Sequence, residues 1–147
     1  MKQSKRFKAN EQGATLVEFS IAALVFLTVM FAVIELGRAL WVHNALADAA
    51  RRGARYAVIN LANEDKVKNV VVYGDEDGGV TPMIPNLTTD DVTVVYSDFT
   101  VNKGKVTVSI DAYQFQFVIP IVGTTITMPS YTTTLTGESV GLVPEPI

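Results

Sequence analysis

Residues 14–34 read ATLVEFSIAALVFLTVMFAVI, 21 residues whose one charge is Glu18. At 1.5 Å rise per residue the run makes about 31 Å of helix, close to the hydrocarbon thickness of a bilayer. A secretory signal has a shorter apolar core that ends at a small-x-small cleavage site. Here the helical pattern continues through Glu35, Gly37 and Arg38 into Ala-rich sequence, and the first proline is Pro82. The spacing therefore predicts one helix from about residue 14 to about residue 62, roughly 70 Å long. Its first half lies in lipid and its second half projects from it. The competing reading, a buried core helix of a soluble protein, rarely needs so long a near-continuous apolar run.

Charge is distributed unevenly on either side of this run. Residues 1–13 carry Lys2, Lys5, Arg6 and Lys8 against Glu11 alone, whereas the whole 147-residue chain is −3. A short basic leader feeding into Leu, Val, Phe and Ile is a membrane address rather than a nucleic-acid arm. Arg38, Arg51, Arg52 and Arg55 follow the span, so charge alone leaves orientation nearly balanced. With no cysteine, disulfide scaffolds, thiol nucleophiles and Cys-based zinc or iron–sulfur sites are excluded. His43 is the single histidine, too little for a multi-His metal cage. No nucleophile has a base beside it, and no glycine-rich phosphate loop follows a strand. The sequence thus implies no catalytic residue, metal, cofactor, small-molecule substrate or nucleic acid.

The leader ends in Gln12-Gly13-Ala14-Thr15-Leu16-Val17-Glu18-Phe19. This resembles a type IV prepilin cleavage site, a glycine followed by an apolar stretch with a glutamate five residues on and then an aromatic. The resemblance implies cutting between Gly13 and Ala14 by a prepilin peptidase, an integral-membrane aspartyl protease at the cytoplasmic face. Glycine has no side chain to clash with a protease that admits extended backbone. A lone ionised carboxylate within an apolar span costs on the order of 2–3 kcal/mol or more, so Glu18 needs a partner or an interfacial position. In pilins the corresponding glutamate pairs with the new N-terminal amine of a neighbouring subunit. Glu18 and Phe19 are accordingly the assembly and register positions.

Beyond the span, Leu36-Gly37-Arg38 and Arg51-Arg52-Gly53-Ala54-Arg55-Tyr56-Ala57 make the resemblance more specific. With Val17-Glu18-Phe19 they are similar to the TadE-like family, pseudopilins of the tight-adherence (Tad, or Flp) type IVc pilus system. The resemblance covers about residues 13–60. Asn44, Asp48, Arg51, Arg52 and Arg55 fall on one helical face, with Asp48 spaced to pair with Arg51 or Arg52. Another line runs Leu36, Leu40, His43, Ala47, Ala50, Ala54, Ala57, Leu61, beside Gly53, and such small residues permit close helix approach. That seam serves helix bundling between subunits, packing against the chain's own head, or both. Trp41 fits an interfacial anchor and His43 a packing or interfacial residue.

The head is expected to be a small α+β unit. Residues 63–73 read as a continuation or a second helix, with Val67, Val70 and Val71 on one side. The acidic turn Gly74-Asp75-Glu76-Asp77-Gly78-Gly79 follows; it lacks the full spacing of a calcium loop and its distal glutamate. Val92, Val94 and Tyr96 alternate with polar residues, as do Val106, Val108, Ile110 and Ala112 after a turn at Asn102-Lys103-Gly104. The phase then slips to Phe115, Phe117 and Ile119, predicting a bulge near Tyr113. A turn at residues 120–123 leads to a Thr-rich third strand over residues 125–135, interrupted by Pro129 and so at an edge. A three-stranded antiparallel meander should pack one face on the long helix, and residues 141–147 should form a loose tail.

The expected organisation is a leader at 1–13, a transmembrane helix at 14–35, its extracytoplasmic continuation at 36–62 and a head at 63–147. The resemblance implies a pseudopilin or minor pilin in the bacterial inner membrane, N-terminus cytoplasmic and head outside, of a kind that can be incorporated in an extracellular pilus. Its partners would be the membrane, the prepilin peptidase and other pilins or pseudopilins. A major filament subunit and an unprocessed, membrane-anchored extracytoplasmic binding protein are the alternatives.

Overall fold

The computed structural model describes residues 9–60, 63–97, 104–118 and 125–136. The leader's basic residues, helix positions 61 and 62, turn residues 102–103 and 120–123, Ile119 and the tail at 141–147 lie outside the described residues. The chain is α+β, as expected: a long apolar N-terminal helix precedes a small antiparallel sheet system. It divides into two compact units, Met1–Arg38 and Ala39–Ile147.

Helix α1 runs Ala9–Asn60 without interruption. No proline or strong cap breaks it, and Ala, Leu, Met, Glu and Arg sustain it. Helix α2, Glu64–Tyr73, has clear ends. The Asn63 side chain accepts a hydrogen bond from the Lys66 N–H, at 2.9 Å, and Glu64 and Asp65 occupy the positive first turn. Gly74, at φ 80°, closes the helix by donating its N–H to Val70 O. Lys68 pairs with Glu64 four residues back, at 2.7 Å.

Strands β1 (Val92–Ser97), β2 (Lys105–Ile110) and β5 (Tyr131–Thr136) form an antiparallel sheet in the order β1-β2-β5. The register pairs Val94 with Val108 and Val106 with Leu135. Inward-facing Val92, Val94, Val106, Val108, Ile110 and Tyr131 are buried, and the alternate positions point to solvent, the signature of a sheet with one face on a core. The opposite face is hydroxyl-rich: Thr107 bonds Thr134 at 2.9 Å and Ser109 bonds Thr132 at 3.1 Å.

The third strand departs from expectation. Thr-rich residues 125–135 are not one strand but two, β4 (Thr125–Thr127) and β5, parted around Pro129, which has no N–H to give a ladder. Strand β3 (Gln114–Gln116) pairs with β4 in a second, two-stranded sheet. The phase slip is therefore a change of sheet rather than a bulge within one strand. Ala112 takes φ 59° and is exposed, so it is not part of β2's inward set. Past that corner Tyr113 and Phe115 turn inward. Tyr113 Oη donates to Pro85 O at 2.6 Å, and Met128 N–H donates to Tyr113 O at 2.9 Å.

One core joins the helices and sheets of this unit. Val42, Leu46, Ala49, Ala50, Ala54, Ala57 and Val58 of α1 meet Val67, Val71 and Val72 of α2 and the inward strand residues.

Candidate membrane and assembly helix

The segment of α1 from Gly13 to Ile34 carries its side chains outward. Leu16, Phe19, Leu24 and Phe26 are each about two-thirds exposed. The helix contains an 18-residue window of mean hydropathy 2.5, none of which is buried. A water-soluble monomer does not leave so large a contiguous apolar surface open. Length and composition suffice to cross a membrane. Two of its hydroxyls bond back to the helix, Ser20 Oγ donating to Leu16 O at 2.7 Å and Thr28 Oγ1 to Leu24 O at 2.8 Å. Such back-bonding hides polar hydrogens that lipid cannot accept.

Gly13, Ala14, Glu18 and Phe19 lie on this exposed part of the helix. Nothing stands within 4 Å of where a Gly13 side chain would be. Glu18 points outward from a surface otherwise composed of Leu16, Val17, Phe19 and Ile21.

The candidate seam divides into two parts. Leu36 and Leu40 are exposed, and Ala47 is half-buried. Ala50, Gly53, Ala54 and Ala57 are buried in the unit's own core. Gly53 sits directly under α2 and β2, where an added Cβ would collide with Val71 Cγ2 and lie 3.5 Å from Val108 Cγ1. Small residues here set the distance of α1 from α2. His43 is exposed rather than part of this buried line, and its Nδ1 lies 2.7 Å from Tyr131 Oη, with the rings edge to face.

The charged face also divides. Asp48, Arg51 and Arg55 are exposed, and Arg51 Nη1 meets Asp48 Oδ1 at 3.0 Å. Arg52 does not pair with Asp48. Its Nε donates to Val70 O and its Nη2 to Val71 O, both at 3.2 Å. These carbonyls belong to the last turn of α2, where the helix dipole is negative, so a guanidinium is well matched there. No short-range spacing links Arg52 to α2, and the pattern of α1 alone offers no signal for it.

Sequence reasoning also missed the tie between helix and acidic turn. Tyr56 Oη donates to Glu76 Oε2, Lys66 Nζ lies 3.5 Å from Glu76 Oε1, and Asn69 Nδ2 donates to Glu76 O at 3.1 Å. Losing the phenol proton would end the donation to Glu76 and put a second negative charge beside it, so the Tyr56 pKa is pushed up to about 12. The same hydrogen bond, with Lys66 beside it, holds Glu76 below the usual carboxylate range. Glu76 is thus fixed in a hydrogen-bonded turn. Among the described residues no group of three or more His, Asp or Glu side chains is placed to hold a metal ion.

The model of the TadE-like protein family matches residues 13–55, from the glycine at the end of the leader to the last arginine of the charged face. The match takes in less than a third of the chain and leaves the head outside it. No curated protein and no solved structure matches the chain.

Proposed function

We propose that this chain is a pseudopilin or minor pilin of a Tad-type (type IVc) pilus assembly system, inserted in the inner membrane. The observation that carries the reading is the coincidence of three things at one place. The TadE-like match starts at Gly13, the basic leader ends there, and the 21-residue apolar run begins at the next residue, Ala14. A prepilin peptidase cuts after Gly13, leaving Ala14 as the new N-terminus on the cytoplasmic side and the head outside. Glu18, one turn from that amine, sets register when the exposed helix exchanges lipid for the helices of other pilins. The work of the molecule is helix association, not catalysis, and it needs no cofactor. The exposed apolar surface at residues 16–34 is what a neighbour covers. The buried seam at Ala50, Gly53, Ala54 and Ala57 is used within the subunit, so exposed Leu36 and Leu40 are its assembly-competent positions.

The test is the N-terminus of the membrane-extracted protein, by intact mass and N-terminal sequencing. A start at Ala14 is expected. A start at Met1, in cells with an active prepilin peptidase, overturns the reading and leaves an unprocessed, membrane-anchored binding protein.

A further inference from the structure

Helix α1 starts at Ala9 rather than at the end of the leader, so the peptide between Gly13 and Ala14 lies inside it. Helical geometry occupies both groups of that peptide. The carbonyl of residue 13 accepts from the N–H of residue 17, and the N–H of residue 14 donates to the carbonyl of residue 10. Hydrolysis adds the hydroxyl of a water to the carbonyl carbon of Gly13 and a proton to the nitrogen of Ala14, and the bond between them breaks. A carbonyl wrapped in a helical turn is closed to that attack, and a protease that admits extended backbone does not admit a helix.

Only local preference holds this turn. Every residue from Gly13 to Ala22 is exposed, and a Cβ added to Gly13 meets nothing within 4 Å. Alanine would therefore fit the folded chain, and it is the better helix former. Glycine at this position weakens the helix with no gain in packing. Asn10, upstream, is also a poor helix former. In water each exposed residue lies near balance between helix and coil, with a propagation parameter of about 1–1.6. From Ala14 onward the apolar run enters lipid, where an N–H freed from the helix finds no water. Opening from the Ala9 end is thus easy as far as Gly13 and resisted beyond it.

We propose that the peptidase cuts an opened form of α1 in which residues 9–14 have left the helix, and that Gly13 is a positioning residue that populates this form. The inference rests on cleavage after Gly13 and adds what sets its rate. When only a fraction of a substrate is competent to bind, its apparent affinity falls by that fraction. Helix propensity in the first turns of α1 then appears directly in kcat/KM.

The full chain in detergent micelles is treated with prepilin peptidase, and kcat/KM is read from the mass of the cut product. Gly13→Ala should slow cutting about four- to fivefold, the difference in helix propensity between the two residues. Steric exclusion of a methyl group also predicts slowing, so the deciding variants keep Gly13. Asn10→Ala should slow cutting about two- to threefold. Glu11→Gly should speed it by about the same factor, in the parent and in Gly13→Ala alike. Removing a side chain that the peptidase grips would lower the rate, so a gain at position 11 reports opening. Amide hydrogen exchange at Ala14 and Val17, measured without peptidase, should rank the variants in the same order. The proposal is overturned if Asn10→Ala and Glu11→Gly shift that exchange and leave kcat/KM unchanged. It is overturned equally if these amides exchange in the parent at the rate of a free chain. A parent left uncut, beside a control prepilin that is cut, overturns the cleavage reading itself.

Discussion

Gly53→Ala is the sharpest test of the helix packing. Two effects oppose each other. Alanine is the better helix former by about 0.8–1 kcal/mol, and on that ground alone the variant gains stability. The new methyl, however, enters a filled space. It falls inside the van der Waals envelope of Val71 Cγ2 and lies 3.5 Å from Val108 Cγ1 and 3.7 Å from Val67 Cγ1. Val71 is fully buried and β-branched, so it has little rotameric freedom with which to yield. Overpacking of this kind costs roughly 1–3 kcal/mol. The crowding is close to the upper end, so a net loss of about 1–2 kcal/mol is expected. For a domain of 60–100 residues, each kcal/mol lost lowers Tm by roughly 4–8 °C. The assay is thermal and urea unfolding of the full chain in mild detergent, followed by near-ultraviolet circular dichroism. Gly37→Ala is the control, since nothing lies within 4 Å of its added Cβ, and it should show no such loss. Val71→Ala removes the obstructing methyl at a cost of about 2 kcal/mol for lost burial and residual cavity. In the double variant the alanine at position 53 occupies part of that cavity, so the two losses should fall short of additivity by about 1 kcal/mol. A Gly53→Ala protein as stable as its parent, with losses that simply add, would refute the packing argument.

Arg52→Ala should lose about 1–2 kcal/mol in the same unfolding assay, because two carbonyls of α2 lose charge-assisted donors, and Arg52→Lys should recover only part. Arg55→Ala, at an exposed position, should be within about 0.5 kcal/mol of the parent. The Tyr56–Glu76 contact stabilises the folded chain on both flanks of neutrality. Tyr56, raised on folding, contributes fully below its unfolded pKa near 10, and the contribution is lost as pH rises through about 12. Glu76, lowered on folding, contributes above its unfolded pKa and loses that contribution as pH falls through the folded one. Ultraviolet titration of tyrosinate should show one late-titrating residue that returns toward 10 in Glu76→Gln. Ala112→Gly relieves a left-handed residue and should raise stability by up to about 1 kcal/mol, whereas Ala112→Val should lower it. Glu18→Ala should still be cut after Gly13 yet fail to enter filaments, read by mass and by shearing of surface pili; normal assembly would remove Glu18 from the register role.

The parts of the fold that were legible are those written in local patterns. Residues 14–34 announce a membrane-length helix because the apolar run has no proline and only one charge. Helix α2 shows in the spacing of Val67, Val70 and Val71 and in the break at Gly74, but its start does not, since the same residues read equally as a continuation of α1 and only the structure makes Asn63 a cap. Strands β1 and β2 announce themselves through period two. The second sheet was not legible, since its corner is made by Asp111 and Ala112, with no glycine or asparagine to mark the left-handed residue. Pro129 marked an interruption, but only the tertiary structure shows that the chain changes sheets across it. For the candidate site, spacing placed Ala50, Ala54 and Ala57 on one line, and they do lie together in the core. Spacing did not reveal that Leu36 and Leu40 stay outside it, because burial is decided by what α2 and β2 cover. Arg52 was grouped with Asp48 for the same reason: a helical wheel contains only the neighbours on its own helix.

The hydrogen bond between His43 and Tyr131 has a consequence for how strand β5 finds its place. Thr132-Thr133-Thr134 is degenerate as an address. Sliding it by two residues along β2 keeps the same faces in and out and still sets hydroxyls opposite hydroxyls. The middle of the strand therefore holds almost no information about alignment. That information resides at its ends, in Leu135 opposite Val106 and in Tyr131 opposite Ile110. A shift of two residues would bring Thr133 or Pro129 to the place of Tyr131, and neither has a phenol to reach His43. The lone histidine works as a key for the last strand: it admits one alignment out of several that the threonines would accept.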